Sequence, residues 1–260
     1  MPDFANMPSE ALDSDLAELA QLLRAARRGV VFTGAGISTE SGIPDFRSPG
    51  GIWTKMTPVH YQDYIGDAKT RQISWKHRFE MEETWNRVRP NDGHNAVAEL
   101  VARGAIAHVI TQNIDNLHQA SGVPGDKVIE LHGNTSHAKC LDCGVRVEIA
   151  DIRQHFDRHG DAPDCRHCGG IIKTAVISFG QAMPEEEMAR AEAASLAADL
   201  FLVLGSSLSV YPAAAFPVLA KRAGARLVIL NREATEQDPY ADLVIHKEIG
   251  AALRAAVGAL

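Results

Sequence analysis

Residues 30–47 read VVFTGAGISTESGIPDFR, and this stretch decides the fold. Val30, Val31 and Phe32 form an unbroken apolar run behind a charged, helix-patterned segment, as in a strand covered on both faces of a parallel sheet. The chain then turns at Gly34-Ala35-Gly36. Two glycines there let backbone N–H groups approach a phosphate, and a helix starting near Ile37 would aim its positive end at it. A dehydrogenase-type loop needs a third glycine three residues after the second; Thr39 occupies that place, and the next glycine is Gly42. Pro44 stops the helix, and Asp45, Phe46 and Arg47 follow, with Arg47 suited to grip a pyrophosphate and Phe46 to cover a planar ring. The run therefore reads as a nucleotide site that does not fit hydride transfer.

The pattern of strand followed by polar turn recurs along the chain. Leucines 12, 16, 19, 22 and 23 mark a helix over 9–28, with Arg24, Arg27 and Arg28 as structural cations in its last turns. A helix over 91–103, capped by Asn91 or Asp92, leads to a strand over 106–110, which delivers Thr111-Gln112-Asn113-Ile114-Asp115. Ligands bind at the carboxyl ends of strands in open α/β sheets, so Asn113 and Asp115, an amide and a carboxylate two apart, are candidates to meet a carboxamide. The strand over 127–131 ends in His132-Gly133-Asn134. His132, with an ordinary pKa near 6.5, is the candidate general base, whereas His118 reads as a packed or hydrogen-bonded histidine. Further strands over 200–204, 226–230 and 243–246 open into Gly205-Ser206-Ser207, Asn231-Arg232-Glu233 and a helix over 248–257; Glu233 suits an adenosine ribose diol. Between them, 173–179 alternates as a strand with a free edge for an extended peptide, and 185–197 is helical.

All four cysteines fall in two CxxC pairs, Cys140/Cys143 and Cys165/Cys168. Two such knuckles predict one closed, structural zinc site in a module over 136–172, and His167 need not ligate. Residues 48–89 are less regular. Their early Gly and Pro content suggests a mobile loop that closes over a cofactor, and 68–85 is helical. Trp75 reads as packed and Arg78 as solvated, although both have the alternative of lining an acyl pocket.

With 260 residues, 45% of them hydrophobic, the chain can bury a sizeable core. A formal net charge of −7 argues against nucleic acid and is compatible with basic, lysine-bearing substrates. No stretch has the apolar length of a membrane span and the N-terminus lacks signal-peptide blocks, so a cytoplasmic protein is expected, and it reads as a monomer.

The string GAGIST-ESGIPDFR closely resembles the NAD-binding opening of the sirtuins, the NAD-dependent protein lysine deacylases. QNID at 112–115, HGN at 132–134, the paired CxxC knuckles, GSS at 205–207, ILNRE at 229–233 and DLVIH at 242–246 are similar to sirtuin motifs in order and spacing. The resemblance implies an α/β fold: a Rossmann-like parallel-sheet domain over 9–47, 90–135 and 173–260, a cofactor-binding loop and helical insertion over 48–89, and the zinc module. It further implies that Gly34, Ala35, Gly36, Ser38, Ile43, Asp45, Phe46, Arg47, Gln112, Asn113, Ile114, Asp115, Gly205, Ser206, Ser207, Asn231, Glu233 and His246 contact NAD. Val176, Ile177, Phe179 and Gly180 would hold an acyl-lysine protein or peptide, with His132 and Asn113 catalytic. The chain departs from the usual Phe-Gly-Glu at Gln181 and from a common proline at Thr174, which bears on peptide preference. The implied reaction gives nicotinamide, O-acyl-ADP-ribose and free lysine. A protein ADP-ribosyltransferase and a non-catalytic NAD or ADP-ribose sensor are the alternatives, and an ordinary dehydrogenase is disfavoured by Thr39 and the zinc knuckles.

Overall fold

The computed structural model describes residues 13–46, 50–54 and 57–260. In chain order, the first half comprises α1 (Ser14–Ala25), β1 (Gly29–Thr33), a 3₁₀ turn (Ala35–Ser41), α2 (Tyr61–Gly66), α3 (Ala68–Glu80), α4 (Glu82–Arg87), α5 (Asp92–Ala102), β2 (Ile106–Thr111), α6 (Leu117–Ala120) and β3 (Val128–Glu130). The second half comprises β4 (Gly133–Cys140), β5 (Arg146–Glu148), α7 (Ile149–His159), β6 (Ile172–Val176), α8 (Glu185–Ala197), β7 (Leu200–Leu204), α9 (Phe216–Arg222), β8 (Arg226–Leu230), β9 (Leu243–Ile245) and α10 (Ile249–Gly258).

Six strands form one parallel sheet in the order β3-β2-β1-β7-β8-β9. The order reverses between β1 and β7, which makes the carboxyl ends of those two strands the topological switch point. Alternation along β1 explains its double burial. Val31 joins a core with Leu19 and Leu23 of α1, Val97 of α5 and Leu253 of α10, while Val30 and Phe32 join the opposite core with Ala191 of α8 and Phe216 and Ala220 of α9. Phe32 stacks tilted against Phe201 of β7 at 6.1 Å between ring centroids. No helix among the described residues is long and apolar enough to cross a membrane.

The second, smaller sheet is antiparallel, in the order β5-β4-β6, and the sequence reading did not foresee β4 or β5. Its core holds Trp75 and Phe79 of α3 together with Cys140, Cys165, Ile152 and Ile172, so the helical insertion and the cysteine-bearing module share one hydrophobic interior. Trp75 is 1% exposed and stacks on Phe79 at 5.6 Å, and Arg153 of α7 lies 5.0 Å from the Phe79 ring centroid. This shared interior joins two segments far apart in the sequence, which no local pattern announces.

Several local expectations need correction. The helix expected over 9–28 stops at Ala25, because Ala26 is extended and the backbone N–H groups of Arg27 and Arg28 turn to the carboxylate of Asp199. The helix expected near Ile37 is a 3₁₀ turn closed by Gly42 at φ +90°. The helix expected over 68–85 is divided at Met81, and α2 precedes it. The strand expected over 173–179 ends at Val176, because Ser178 and Gln181 close a turn on each other. Arg78 is not solvated: it is half-buried, and its Nη2 donates to the Thr135 carbonyl at 3.2 Å while Nε and Nη1 are shut away from solvent.

Gly133 marks where the two sheets meet. It has φ +74°, and a Cβ built there would lie 1.9 Å from the Ala175 carbonyl oxygen of β6. Gly133→Ala must therefore separate β4 from β6 as well as adopt a left-handed backbone. We expect a loss of about 3 kcal/mol or more in urea unfolding, well above the roughly 1 kcal/mol typical of a point substitution; a loss below about 1 kcal/mol would contradict the close approach.

Candidate active site

The loops after β1 and β7 meet backbone to backbone at the switch point. The Gly34 N–H donates to the Leu204 carbonyl at 3.1 Å and the Gly36 N–H to the Gly205 carbonyl at 2.8 Å. A Cβ on Gly34 would lie 2.7 Å from the Gly205 oxygen, one on Gly36 2.7 Å from the Gly205 Cα, and one on Gly205, at φ +64°, 2.4 Å from the Ile37 nitrogen. The glycine pair is thus required by the close approach of two loops. This revises the expectation that both glycines free N–H groups for a phosphate, since the N–H groups of Gly34 and Gly36 are both already committed.

Beside these loops opens a cavity of about 630 Å³. Its lining includes Gly34, Ala35, Gly36, Asp45, Phe46, Gln112, Asn113, Ile114, His132, Val176, Ile177, Phe179, Gly180, Gly205, Ser206, Ser207, Asn231 and Glu233, brought together from seven separate stretches of sequence. Four expected residues lie outside the lining, each for a visible reason. Ser38, 1% exposed, donates its hydroxyl to Asp115 Oδ2 at 2.7 Å, and Asp115 Oδ1 accepts the Leu117 N–H at 3.0 Å, so both side chains are turned into the wall. Ile43 is buried, its N–H bonded to the Ser38 carbonyl at 3.3 Å. His246 stands behind Asn231, with Nδ1 donating to the Asn231 carbonyl at 3.0 Å and Nε2 3.4 Å from Asp238. Arg47 lies outside the described residues. Neither Trp75 nor Arg78 lines the cavity.

His132 is fixed in one tautomer. Its Nδ1 lies 2.9 Å from the Gln112 carbonyl oxygen, which can only accept, so Nδ1 carries the hydrogen and the neutral ring keeps its lone pair on Nε2. Burial pushes its pKa below the ordinary histidine value, and the bond to Gln112 works against that shift. Gln112 is itself held, donating from Nε2 to Ser206 Oγ at 2.8 Å. Asn113, 7% exposed, spends both amide hydrogens inside the protein, on the Gly34 carbonyl at 3.0 Å and Ser38 Oγ at 3.2 Å. Burial raises the Asp115 carboxyl behind it.

A buried polar layer supports this wall, with little local sign of it in the sequence. The Asn113 N–H donates to Thr111 Oγ1 at 3.0 Å, Thr33 Oγ1 to Thr111 Oγ1 at 2.8 Å, and His118 Nε2 lies 2.9 Å from Thr33 Oγ1. His118 is 1% exposed and hydrogen-bonded, as its position in the sequence suggests. His94, which the sequence reading missed, completes a capping box with Asn91 and sits 5.2 Å from the His118 ring. The Asn91-x-x-His94 spacing was the available signal. Burial pushes His94 down to about 4 and His118 down to about 3, so both stay neutral. Lys173 was also missed. This 3%-exposed lysine of β6 donates to the Val176 carbonyl, lies 5.8 Å from the Tyr64 ring centroid, and is pushed down to about 8 by burial.

Away from the cavity, the four cysteine sulfurs lie within 4.8 Å of one another, with Cys140 to Cys168 at 3.5 Å and Cys143 to Cys165 at 3.7 Å. Tetrahedral coordination at a Zn–S distance of about 2.3 Å places sulfurs about 3.8 Å apart, so the donor set fits one closed, structural zinc. Each knuckle ends in a left-handed glycine, Gly144 at φ +72° and Gly169 at φ +77°. Among the described residues the four cysteines are the whole candidate ligand set, and His167 is outside it.

The fold and site define a nucleotide-binding α/β protein with a thiolate-stapled module. Known proteins place it further: the Sir2 family profile matches residues 34–212. The NAD-dependent protein deacetylase 1 of Bradyrhizobium diazoefficiens is 56% identical over 95% of this chain and 97% of its own. The NAD-dependent protein deacylase 2 of Archaeoglobus fulgidus is 39% identical over 93% of this chain and 94% of its own. A solved Sir2 structure with a p53 peptide and NAD+ superposes with a TM-score of 0.82 at 35% identity, covering 94% of this chain and 98% of that one. The chain belongs to the Sir2 family.

Chelation of a single zinc per chain should red-shift the fluorescence of a variant keeping Trp75 as its only tryptophan, because Trp75 shares a core with Cys140 and Cys165; unchanged emission after metal release would contradict that coupling. Because His118 is held neutral, the unfolded chain binds a proton near pH 6.5 that the fold refuses, and stability falls as pH drops below that value. His118→Gln should remove about 2 kcal/mol of the stability lost between pH 7 and 5, read from urea titrations at both values.

Proposed function

We propose that this protein removes acetyl or other acyl groups from protein lysine side chains in an NAD-dependent reaction that yields nicotinamide, O-acyl-ADP-ribose and free lysine. The observation that carries this reading is the fixed tautomer of His132, whose basic Nε2 belongs to a cavity that also takes in the switch-point loops and Val176–Gly180. The solved Sir2 structure with both a peptide and NAD+ supports the pairing of those two halves.

NAD supplies a ribose carbon from which nicotinamide departs and an ADP-ribose that accepts the acyl group. Gly34, Ala35, Gly36, Asp45, Phe46, Gln112, Ile114, Gly205, Ser206, Ser207, Asn231 and Glu233 would hold it, and their convergence at the switch point fits a dinucleotide. Asn113, with its amide hydrogens already used, offers its carbonyl oxygen in a fixed orientation. Ser38, Asp115 and Ile43 act from behind, by holding Asn113 and the 3₁₀ turn. His246 serves in the same way behind Asn231. Val176, Ile177, Phe179 and Gly180 would take the acyl-lysine segment. His132 Nε2 takes the proton of a ribose hydroxyl, and the Gln112 carbonyl steadies the imidazolium that results.

The test is a lysine-peptide panel carrying acetyl, butyryl, succinyl and long-chain acyl groups, followed by mass spectrometry of nicotinamide and O-acyl-ADP-ribose. His132→Ala should fold and bind NAD yet lose at least about 10²-fold in turnover. The base must be neutral, and its pKa lies below the ordinary value, so the acid limb of kcat/KM should fall below pH 6.5. Full turnover by His132→Ala would remove it from the mechanism, and ADP-ribose transferred to protein instead of acyl release would favour a transferase.

A further inference from the structure

The turn after β6 carries a side chain that the reaction does not use. Gln181 lines the cavity, half-buried, and its position is fixed by two bonds. Its Oε1 accepts the Ser178 N–H at 3.1 Å, and its own N–H donates to the Ser178 carbonyl at 3.0 Å, closing a turn across Phe179 and Gly180. With the amide oxygen pinned, the orientation of the amide plane is set. The Nε2 group, with two hydrogens, makes no hydrogen bond to any described residue.

The surroundings are uneven in charge. The charged residues of the lining are Asp45, Arg232, Glu233, Lys247 and Glu248, all from loops following β1, β8 and β9. The lining residues between Val176 and Met183 carry no charge. In that uncharged stretch the polar side chains are Ser178, with one hydroxyl hydrogen, and Gln181, whose amide brings two, and donors beside an otherwise neutral wall favour a ligand that brings an acceptor.

We infer that Gln181 is a specificity-determining residue of the peptide end: its Nε2 donates to an acceptor on the acyl-lysine segment, so that segments with Asp or Glu next to the acyl-lysine are well accepted. This deepens the deacylase reading and rests on it. Glutamate at this position has nearly the same shape and keeps the acceptor for Ser178, but it replaces the donor with a negative oxygen, which repels a neighbouring carboxylate.

The experiment compares kcat/KM for two acetyl-lysine peptides that differ only in having Glu or Gln beside the acetyl-lysine, with wild type and Gln181→Glu, at low and high salt. Wild type should use the Glu peptide at least as well as the Gln peptide. In Gln181→Glu the ratio of the two should fall about fivefold against the acidic peptide, and most of that fall should vanish at 1 M salt, where charges are screened within roughly 3 Å. An unchanged ratio in the variant overturns the inference. If the variant does not fold, wild type alone still decides, because a fivefold preference against the Glu peptide overturns it. Failure of wild type to turn over either peptide with NAD would count instead against the deacylase reading.

Discussion

Everything at the active site depends on the contact of the loops after β1 and β7. Three glycines, Gly34, Gly36 and Gly205, have no Cβ because the partner backbone occupies the space, and the Gly36 N–H to Gly205 bond fastens the two loops. From that junction Asn113 is held through the Gly34 carbonyl, and Gln112 through Ser206. His132 is then oriented by the carbonyl of Gln112. A cavity built this way is preorganised by backbone contact, which side-chain mobility cannot easily loosen.

Three histidines near this junction show how environment divides one residue type into different roles. His94 and His118 are buried in a layer of hydroxyl and amide groups and are kept neutral far below their ordinary pKa. Their contribution is to brace Asn113 and Ser38 from behind. His132 is lowered less, because the Gln112 carbonyl favours its protonated form, and it keeps a lone pair in the cavity. These are the two features that the proposed base requires: neutral before the reaction, and supported when it takes a proton.

The smaller lobe follows a different logic. Its sheet has only three strands, so its stability depends on covering their hydrophobic face, and that interior is completed from two sides by the aromatic residues of α3 and by Cys140 and Cys165. A metal held by the four thiolates therefore stabilises the helical insertion as well as the knuckles. β6 belongs to this lobe and runs directly into the turn at Ser178–Gln181, so the lobe also sets one wall of the cavity.

The sequence by itself determined what local pattern encodes. Apolar runs with polar turns behind them gave the strands β1, β2, β7 and β8 and the candidate residues Asn113, His132 and Gly205 to Ser207; CxxC spacing gave the thiolate cluster; and helix α8 spans the expected 185–197. Those signals are short-range, so they survive without the fold. Only the tertiary structure decided the rest. It turned Ser38, Asp115 and His246 out of the lining, set Arg78 against Thr135, recruited His94 and Lys173 into burial, and made the glycine pair answer to Gly205. Each of these depends on which distant backbone lies alongside, and a sequence pattern of period two or 3.6 carries no information about that neighbour.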